Sequence, residues 1–340
     1  MAGRKAVRGR RKVRVALIGA GAMANSFHYP SLAEMADVEM AAICDLVPEK
    51  ARETAERFKI RKQFSDYRRM LDDTRPDAVY LLMPPHHLFD VAIDVMKRGH
   101  HLFIEKPPGL NAFQNRQMSL CAKRNKILAM CGFQRRYVPL ITALRERVEE
   151  RGRIHTVVAT FVKCSYPVAS YYDGAIDILS CDAVHAVDTL RFLCGGEAVR
   201  VASDVRILGA DGPNAFYAIV KFSSGATGIL QTNWACGRRF FKIEMHGMGV
   251  SAYADPDEGG MLYVDGDTKG EAFDPSAAPG THSGAPSACA KNDADRHQLG
   301  FFAENRHFID CVKQGRQPCS SLADTVATME LVDRIYHSQV

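Results

Sequence analysis

Apolar runs of strand length alternate with amphipathic stretches of helical length over residues 13–132. The runs are rich in β-branched residues, which is typical of buried strands. We predict strands here at 13–18, 38–44, 77–83, 101–104 and 127–131. We predict helices between them at 22–36, restarted at Pro30, and at 48–58, 86–98 and 111–126. This alternation predicts a doubly wound parallel sheet, that is, an α/β domain.

From about residue 153 the pattern changes, because strand-like runs follow one another without long helices between them. The exception is an apolar helix predicted at Ala175–Cys194, ended by Gly195 and Gly196. Residues 265–297 are rich in Gly, Asp, Ser, Ala and Pro and predict a long loop, followed by two terminal helices. The second half is therefore predicted as an α+β domain with an open, mostly antiparallel sheet that carries helices on one face.

The predicted domains are a basic disordered tail at 1–12, a nucleotide-binding domain at 13–132 and a substrate and oligomerisation domain at 133–340. In an alternative to this division, the C-terminal helix packs back on the first domain. Strands at 216–222 and 228–234 carry apolar residues on both faces, and an open sheet needs cover on both sides. We therefore expect a homodimer or homotetramer.

A glycine turn, Gly19–Ala24 with the pattern G-x-G-x-x-A, follows the first predicted strand directly and opens a helix. Gly19 permits the tight turn, and Gly21 lets a pyrophosphate approach the backbone. Ala24 is small enough for the helix to pack on the strand. Free N–H groups at the helix start favour the phosphates, so this turn predicts a dinucleotide site.

An acidic residue, Asp45, ends the second predicted strand, 24 residues after Gly21. An acid near this spacing accepts hydrogen bonds from ribose hydroxyls. Its charge repels a 2′-phosphate, so NAD is the expected cofactor and NADP is less favoured. The alternative is an ordinary acid at the start of the helix that begins with Pro48.

The net charge of +5 lies in the tail, because the first twelve residues hold six basic side chains and no acid. The body is close to neutral and gives no reason to expect nucleic acid, and no apolar stretch has the length of a membrane span. The start also resembles a secretion signal, but cleavage after Ala24 would delete the first strand and the glycine turn. The ten cysteines are scattered without a C-x-x-C pair, so we expect a cytoplasmic protein and no metal site.

Two positions carry side chains suited to acid–base chemistry. Lys106 follows Glu105 at the carboxyl end of a predicted parallel strand, where doubly wound folds bind ligands. A lysine there can hold a substrate oxygen, stabilise a developing alkoxide and relay a proton. His185 shares one helix face with Asp182 and Asp188 and suits general acid–base catalysis. The alternatives are a surface lysine paired with Glu105 and a core histidine satisfied by an aspartate.

These motifs, with M-P-P after a strand, G-H-H-L-F-I-E-K-P at 99–107 and H-x-x-D in a following antiparallel domain, resemble the glucose–fructose oxidoreductase / inositol dehydrogenase (Gfo/Idh/MocA) family. The resemblance runs from Val13 to the C-terminus. It implies a Rossmann domain, an open-sheet domain and a tightly held NAD(P). It also implies hydride transfer at a hydroxyl or keto carbon of a sugar, cyclitol or related polyol, with Lys106 and His185 acting on one substrate oxygen.

The resemblance also implies site residues. Cofactor contacts are expected at Gly19, Gly21, Ala22, Met23, Asp45, Pro84, His87, Glu105 and Lys106. Catalytic roles are expected for Lys106, His185 and Asp182, and substrate contacts for Arg136, Lys106 and His185. For Arg136 the alternative is a surface arginine at a helix start.

Two positions depart from the family pattern. Many members have an aspartate four residues before the histidine; here that position is Cys181, and Asp182 is one residue further on. The family often has a histidine at the position of Leu88. The first departure keeps a non-enzymatic cofactor-binding regulator open as an alternative. A further alternative is a glycoside hydrolase of the family that uses bound NAD. The sequence names neither the substrate nor the direction of reaction.

Overall fold

A computed structural model of the chain describes residues 11–274 and 293–340, and for 293–295 it describes the backbone alone. Most of the predicted basic tail, residues 1–10, lies outside the described residues. So does the stretch 275–292 of the predicted loop at 265–297; the described parts of that loop contain a short strand and the start of a helix.

The strands come in two groups. Those of the first sheet are β1 Val13–Ile18, β2 Val38–Cys44, β3 Gln63–Phe64, β4 Ala78–Leu81, β5 His101–Glu105 and β6 Ala129–Gly132. Those that follow are β7 Thr156–Cys164, β8 Ser170–Tyr171, β9 Ile176–Asp177, β10 Ala198–Arg206, β11 Ala215–Phe222, β12 Thr227–Asn233, β13 Ala235–Gly247, β14 Val250–Asp255, β15 Gly259–Val264 and β16 Glu271–Phe273.

The helices in chain order are α1 Tyr29–Glu34, α2 Pro48–Phe58, α3 Tyr67–Thr74, α4 Pro85–Lys97, α5 Ala112–Asn125, α6 Pro139–Glu149, α7 Val184–Cys194, α8 Asp293–Gln298, α9 Phe301–Gln314 and α10 Leu322–His337. Single π-helical turns at Ala24–His28 and Leu179–Ala183 precede α1 and α7, and a 3₁₀ turn at Gln134–Tyr137 precedes α6. In the described part of the chain, no helix has the length and apolar character needed to cross a membrane.

The first unit comprises, among the described residues, 11–109, 113–132 and 301–326. Its strands form a parallel sheet in the order β3-β2-β1-β4-β5-β6. The strand order reverses between β1 and β4, so the carboxyl ends of these two strands flank the topological switch point at which open α/β sheets bind ligands.

The segment 301–326 belongs to the first unit, whereas the sequence pattern predicts it in the second domain. The apolar face of α9 explains this position. Phe308 is fully buried, and its ring lies 5.6 Å from the rings of both Tyr80 and Phe103, measured between centroids. Apart from residues 110–112, which belong to the second unit, the chain before 301 divides between the two units at Gly132, where the predicted nucleotide-binding domain also ends.

Pro30 shapes the helix that follows the glycine turn. Proline has no N–H, and its ring clashes with the carbonyl four residues earlier. The turn before it is π-helical: the Tyr29 N–H donates to the carbonyl of Ala24, five residues back. This widened turn ends at His28, which is fully buried.

The second unit comprises, among the described residues, 110–112, 133–274, 293–300 and 327–340. Its large sheet has the order β10-β11-β12-β7-β13-β14-β15-β16, and only the pairing of β12 with β7 is parallel among the pairings described. The predicted fold class, a parallel sheet followed by an open and mostly antiparallel one, is therefore confirmed.

One face of this sheet is covered within the unit. Val157, Ala159 and Phe161 alternate along β7, are at most 2 % exposed and lie on the face packed by α7. On the opposite face Ile219 and Ile229 pair across strands and are 54 % and 38 % exposed. Large apolar side chains on both faces agree with the sequence pattern that predicts an oligomer.

The buried helix of the second unit starts later than predicted. Residues 176–177 form strand β9, and helical structure begins with the π turn at Leu179 rather than at Ala175. Asp177 accounts for the late start because its Oδ1 accepts the Ser180 N–H at 2.9 Å, which caps the incoming turn.

Candidate active site

The glycine turn after β1 requires glycine at its first position. Gly19 has φ +101°, and a Cβ built on it would lie 2.2 Å from the carbonyl oxygen of Leu82. Gly21 is open, because a Cβ built there meets nothing within 4 Å. Ala22 and Met23 are exposed beside it. The turn therefore offers bare backbone at the switch point, which fits the approach of a pyrophosphate.

Asp45, directly after β2, is joined to this turn. Its Oδ2 accepts the N–H of Ala20 at 2.7 Å, and its Oδ1 accepts the N–H of Val47 at 2.8 Å. A carboxylate has about four acceptor positions, so further lone pairs remain for ribose hydroxyls. The turn, the acid and a neighbouring cavity of about 300 Å³ together fit an adenine dinucleotide.

Pro84 and His87 lie on the other side of the switch point, after β4. Pro84 is the exposed residue at the start of α4, and its carbonyl accepts the His87 N–H at 3.1 Å. His87 is exposed and its ring lies 3.9 Å from that of His86, between centroids. Leu88 is fully buried, so the departure from the family pattern at this position places a core residue there.

Glu105 ends β5, and its carboxylate is hydrogen-bonded within the first unit. Its Oε1 lies 2.7 Å from Nε2 of His28, and its Oε2 accepts the N–H of Lys106 at 2.9 Å. Both carboxylate oxygens thus have protein partners, and each keeps a further acceptor position as in Asp45, so the cofactor contact of Glu105 stays a prediction. Lys106 is half-buried and follows at the carboxyl edge of the sheet, the edge that also carries the glycine turn and Asp45.

His185 lies on α7, in the second unit. The residue is 6 % exposed, and its ring packs edge-to-face on Phe133, with centroids 6.2 Å apart. Its carbonyl accepts the Thr189 hydroxyl at 2.7 Å, which ties it to the next turn of the helix. Asp188, predicted on the same helix face, is fully buried.

Asp182 belongs to a network that the sequence did not reveal. Its Oδ2 accepts hydrogen bonds from Lys163 Nζ and, at 3.0 Å, from the Tyr171 hydroxyl. Tyr171 in turn accepts the Trp234 Nε1–H at 2.7 Å. Burial and the Asp182 carboxylate raise the pKa of Tyr171, so this hydroxyl stays protonated and remains a donor. These bonds favour a positioning role for Asp182 over proton transfer.

The two-residue repeat of β7 could have predicted Lys163 as a site residue. It lies two residues after Phe161 on β7 and therefore shares the helix-covered face of the sheet. Its ammonium lies 5.2 Å from the ring centroids of both Phe161 and Trp234, in cation–π range.

Arg136, a predicted substrate ligand, lies in the core of the second unit. Its Nη2 and Nε donate to the two oxygens of Asp188 at 2.6 and 2.7 Å, and both side chains are 1 % exposed. The Thr328 hydroxyl donates to the same carboxylate at 2.8 Å. Arg136 and Asp188 thus form a buried structural ion pair. The geometry favours neither a substrate contact for Arg136 nor a surface arginine at a helix start.

In the described ranges, no group of three or more His, Cys, Asp or Glu residues could hold a metal ion.

Comparisons with known proteins agree with this geometry. The family model "Oxidoreductase family, NAD-binding Rossmann fold" matches residues 13–133, and the model "GFO/IDH/MocA C-terminal domain" matches residues 142–252. Together the two matches span more than half of the chain.

Several dehydrogenases are similar along the chain. Myo-inositol 2-dehydrogenase of Thermotoga maritima is 25 % identical over 229 residues, covering 65 % of this chain and 68 % of that protein. The scyllo-inositol 2-dehydrogenase (NAD(+)) of Bacillus subtilis is 22 % identical over 329 residues, covering 94 % and 92 %. The structure of a levoglucosan dehydrogenase in complex with NADH and levoglucosan superposes with a TM-score of 0.82 at 21 % identity, covering 96 % and 97 %.

The glycine turn, Asp45 and the two matched domains confirm the predicted cofactor and family: the chain belongs to the Gfo/Idh/MocA family of NAD-binding oxidoreductases.

Proposed function

We propose that this protein transfers a hydride between nicotinamide and a hydroxyl or keto carbon of a sugar, cyclitol or related polyol. The observation that carries the proposal is the place of Lys106, directly after β5 at the edge of the sheet that binds NAD. The relatives named for inositol and levoglucosan support a small polyhydroxylated substrate.

Each residue has a proposed task. The glycine turn would hold the pyrophosphate, and Asp45 the ribose hydroxyls. NAD, when bound, supplies the acceptor for the hydride. Lys106 holds the substrate oxygen and stabilises its negative charge as the hydroxyl proton leaves. His185 accepts that proton as general base.

A substrate panel tests the proposal against the two alternatives. Sugars and cyclitols are offered with NAD, and the reverse reaction with NADH, while NADH absorbance is followed; Lys106→Met is the matched control. We expect turnover of at least one substrate by the unmodified protein, and turnover at least about a hundredfold slower in Lys106→Met. NAD binding without turnover in either direction would support a regulator instead, and sugar release from glycosides without net NADH would support a hydrolase.

Cofactor choice gives a first mutational prediction. Asp45→Ser should weaken NAD binding about ten- to hundredfold, because hydrogen bonds to a charged acceptor are lost. It should narrow the gap between NAD and NADP, since the repelling charge is removed. Calorimetric titration measures both affinities, with Glu49→Ser, an exposed acid of the same region, as the control. Tighter binding of NADP than of NAD by the unmodified protein would contradict the assignment.

Assembly gives a second prediction. The exposed face around Ile219 and Ile229 should be buried against another copy, so light scattering should give a dimer or tetramer mass at micromolar concentration. Ile229→Lys should shift that mass towards the monomer. Ile207→Lys, at a 60 % exposed position after β10, should not. A monomer mass for the unmodified protein would refute the prediction.

The nine cysteines within the described residues form no disulfide, which is in keeping with the proposed reducing, cytoplasmic environment.

A further inference from the structure

A buried histidine in the first unit contacts the residue that precedes Lys106. His28 is fully buried, and its Nε2 lies 2.7 Å from Oε1 of Glu105, whose side chain is 12 % exposed. No motif pointed to His28, because it lies outside G-x-G-x-x-A and 77 residues before Glu105. The π turn before Pro30 brings it to the end of β5.

Asn305 on α9 contacts the other ring nitrogen of His28. The Asn305 amide nitrogen donates to the carbonyl of Phe301 at 2.7 Å and lies 3.1 Å from Nδ1 of His28. The Asn305 Oδ1 lies 3.4 Å from the same ring nitrogen. On the other side of the ring the partner of Nε2 is a carboxylate, which only accepts, so Nε2 is assigned the proton and its N–H donates to Glu105.

Aromatic packing holds the ring in this orientation. The centroids of Phe103 and Phe301 lie 5.3 and 5.5 Å from that of His28, both edge-on. The bond from Nε2 to Glu105 is thus made away from water, where an unsatisfied carboxylate oxygen is costly. The second oxygen of Glu105 accepts the backbone N–H of Lys106 at 2.9 Å.

We propose that His28 is a positioning residue for catalysis: it holds the Glu105 carboxylate, and through it the backbone of Lys106, at the carboxyl end of β5. This extends the proposed function, on which it rests for its consequences in turnover. It also gives Glu105 a task different from the cofactor contact expected from the family resemblance.

Two amide variants test the proposal. Glutamine places its amide nitrogen as many bonds from Cβ as Nε2 of histidine, whereas asparagine reaches only as far as Nδ1. His28→Gln can therefore still donate to Glu105, and His28→Asn cannot. Both variants bury a carboxamide at position 28, so an effect of the buried amide itself changes the exchange rate and kcat of both variants in the same direction.

Amide hydrogen exchange is the first readout, and it needs no substrate. In His28→Asn the Lys106 amide should exchange at least tenfold faster than in the unmodified protein, and in His28→Gln close to the original rate. The Gly19 amide, which donates to the Cys44 carbonyl at 2.9 Å, is the internal control. Equal exchange of the Lys106 amide in both variants would overturn the proposal.

Turnover is the second readout. His28→Asn should lower kcat about ten- to hundredfold with less than a threefold change in the NAD dissociation constant, and His28→Gln should recover most of the loss. Equal kcat in the two variants would also overturn the proposal. If the two variants differ in exchange of the Lys106 amide but the unmodified protein shows no turnover, the dehydrogenase function is refuted and the His28 contact stands.

Discussion

Lys106→Met is expected to lower kcat by roughly 10²–10⁴-fold, the range for loss of a positioned acid–base group. The ammonium is the proposed partner of the substrate oxygen, so the loss falls on the transition state, in which that oxygen carries most charge. Methionine keeps much of the side-chain length and removes the charge. Steady-state kinetics with the best substrate of the panel measures the effect.

His185→Ala should cause a loss of similar size while NAD affinity changes little, because His185 belongs to the second unit. The double variant should be far from additive, since residues that serve one step fail together. Asp182→Asn is the matched comparison. We expect near-normal turnover from it, because Asp182 is engaged by Lys163 and Tyr171. A loss equal to that of His185→Ala would make Asp182 the replacement for the missing acid at position 181.

The outcome that would contradict the assignment is a folded Lys106→Met variant with more than a tenth of the original kcat. Full additivity of the two losses would contradict the shared step even if each single loss is large.

Arg136→Met is expected to lower the free energy of unfolding by about 3–5 kcal/mol, because it leaves the Asp188 carboxylate buried and unpaired. Asp188 is 1 % exposed and takes both of its Arg136 bonds inside the second unit. Urea unfolding followed by circular dichroism measures the loss. Asp188 lies on α7, three residues from His185, and Arg136 lies in the 3₁₀ turn Gln134–Tyr137. The same ion pair therefore ties the helix that carries the proposed base to that turn.

Two variants control for simple loss of charge. Arg145→Met removes the partly exposed pair with Glu149 and should cost no more than about 0.5 kcal/mol. Arg136→Met combined with Asp188→Leu should recover much of the stability lost in Arg136→Met, since no unpaired charge remains. A loss below about 1 kcal/mol in Arg136→Met would show that the pair is not the structural element proposed.

The sequence predicted those parts of the site that follow directly from a strand. The glycine turn, Asp45 and Lys106 each come immediately after an apolar run, so local pattern and the rule for parallel sheets locate them at one edge. The pairing of Lys163 with Asp182 does not follow from local pattern, because the two residues lie on different elements. It depends on which residue of β7 lies beside the π turn, and only the structure shows that.

Long-range pairs could not be predicted. His28 and Asn305 are 277 residues apart, and Arg136 and Asp188 are 52 apart. A single sequence gives no signal for which buried polar groups satisfy one another across such separations. The sequence pattern predicts too early a start for the buried helix because its apolar periodicity continues through β9. The cap that delays the helix is a single hydrogen bond accepted by the Asp177 side chain, and the pattern of apolar residues does not reveal it.

The position of 301–326 in the first unit has a consequence for biosynthesis. During translation the six-stranded sheet is complete once residue 132 has emerged, but α9 and its Phe308 follow only after the whole second sheet. Until then Tyr80 and Phe103 lack that ring as cover. The nascent nucleotide-binding unit thus lacks this cover while residues 133–308, about half of the chain, are synthesised, and exposed apolar surface of this kind favours aggregation.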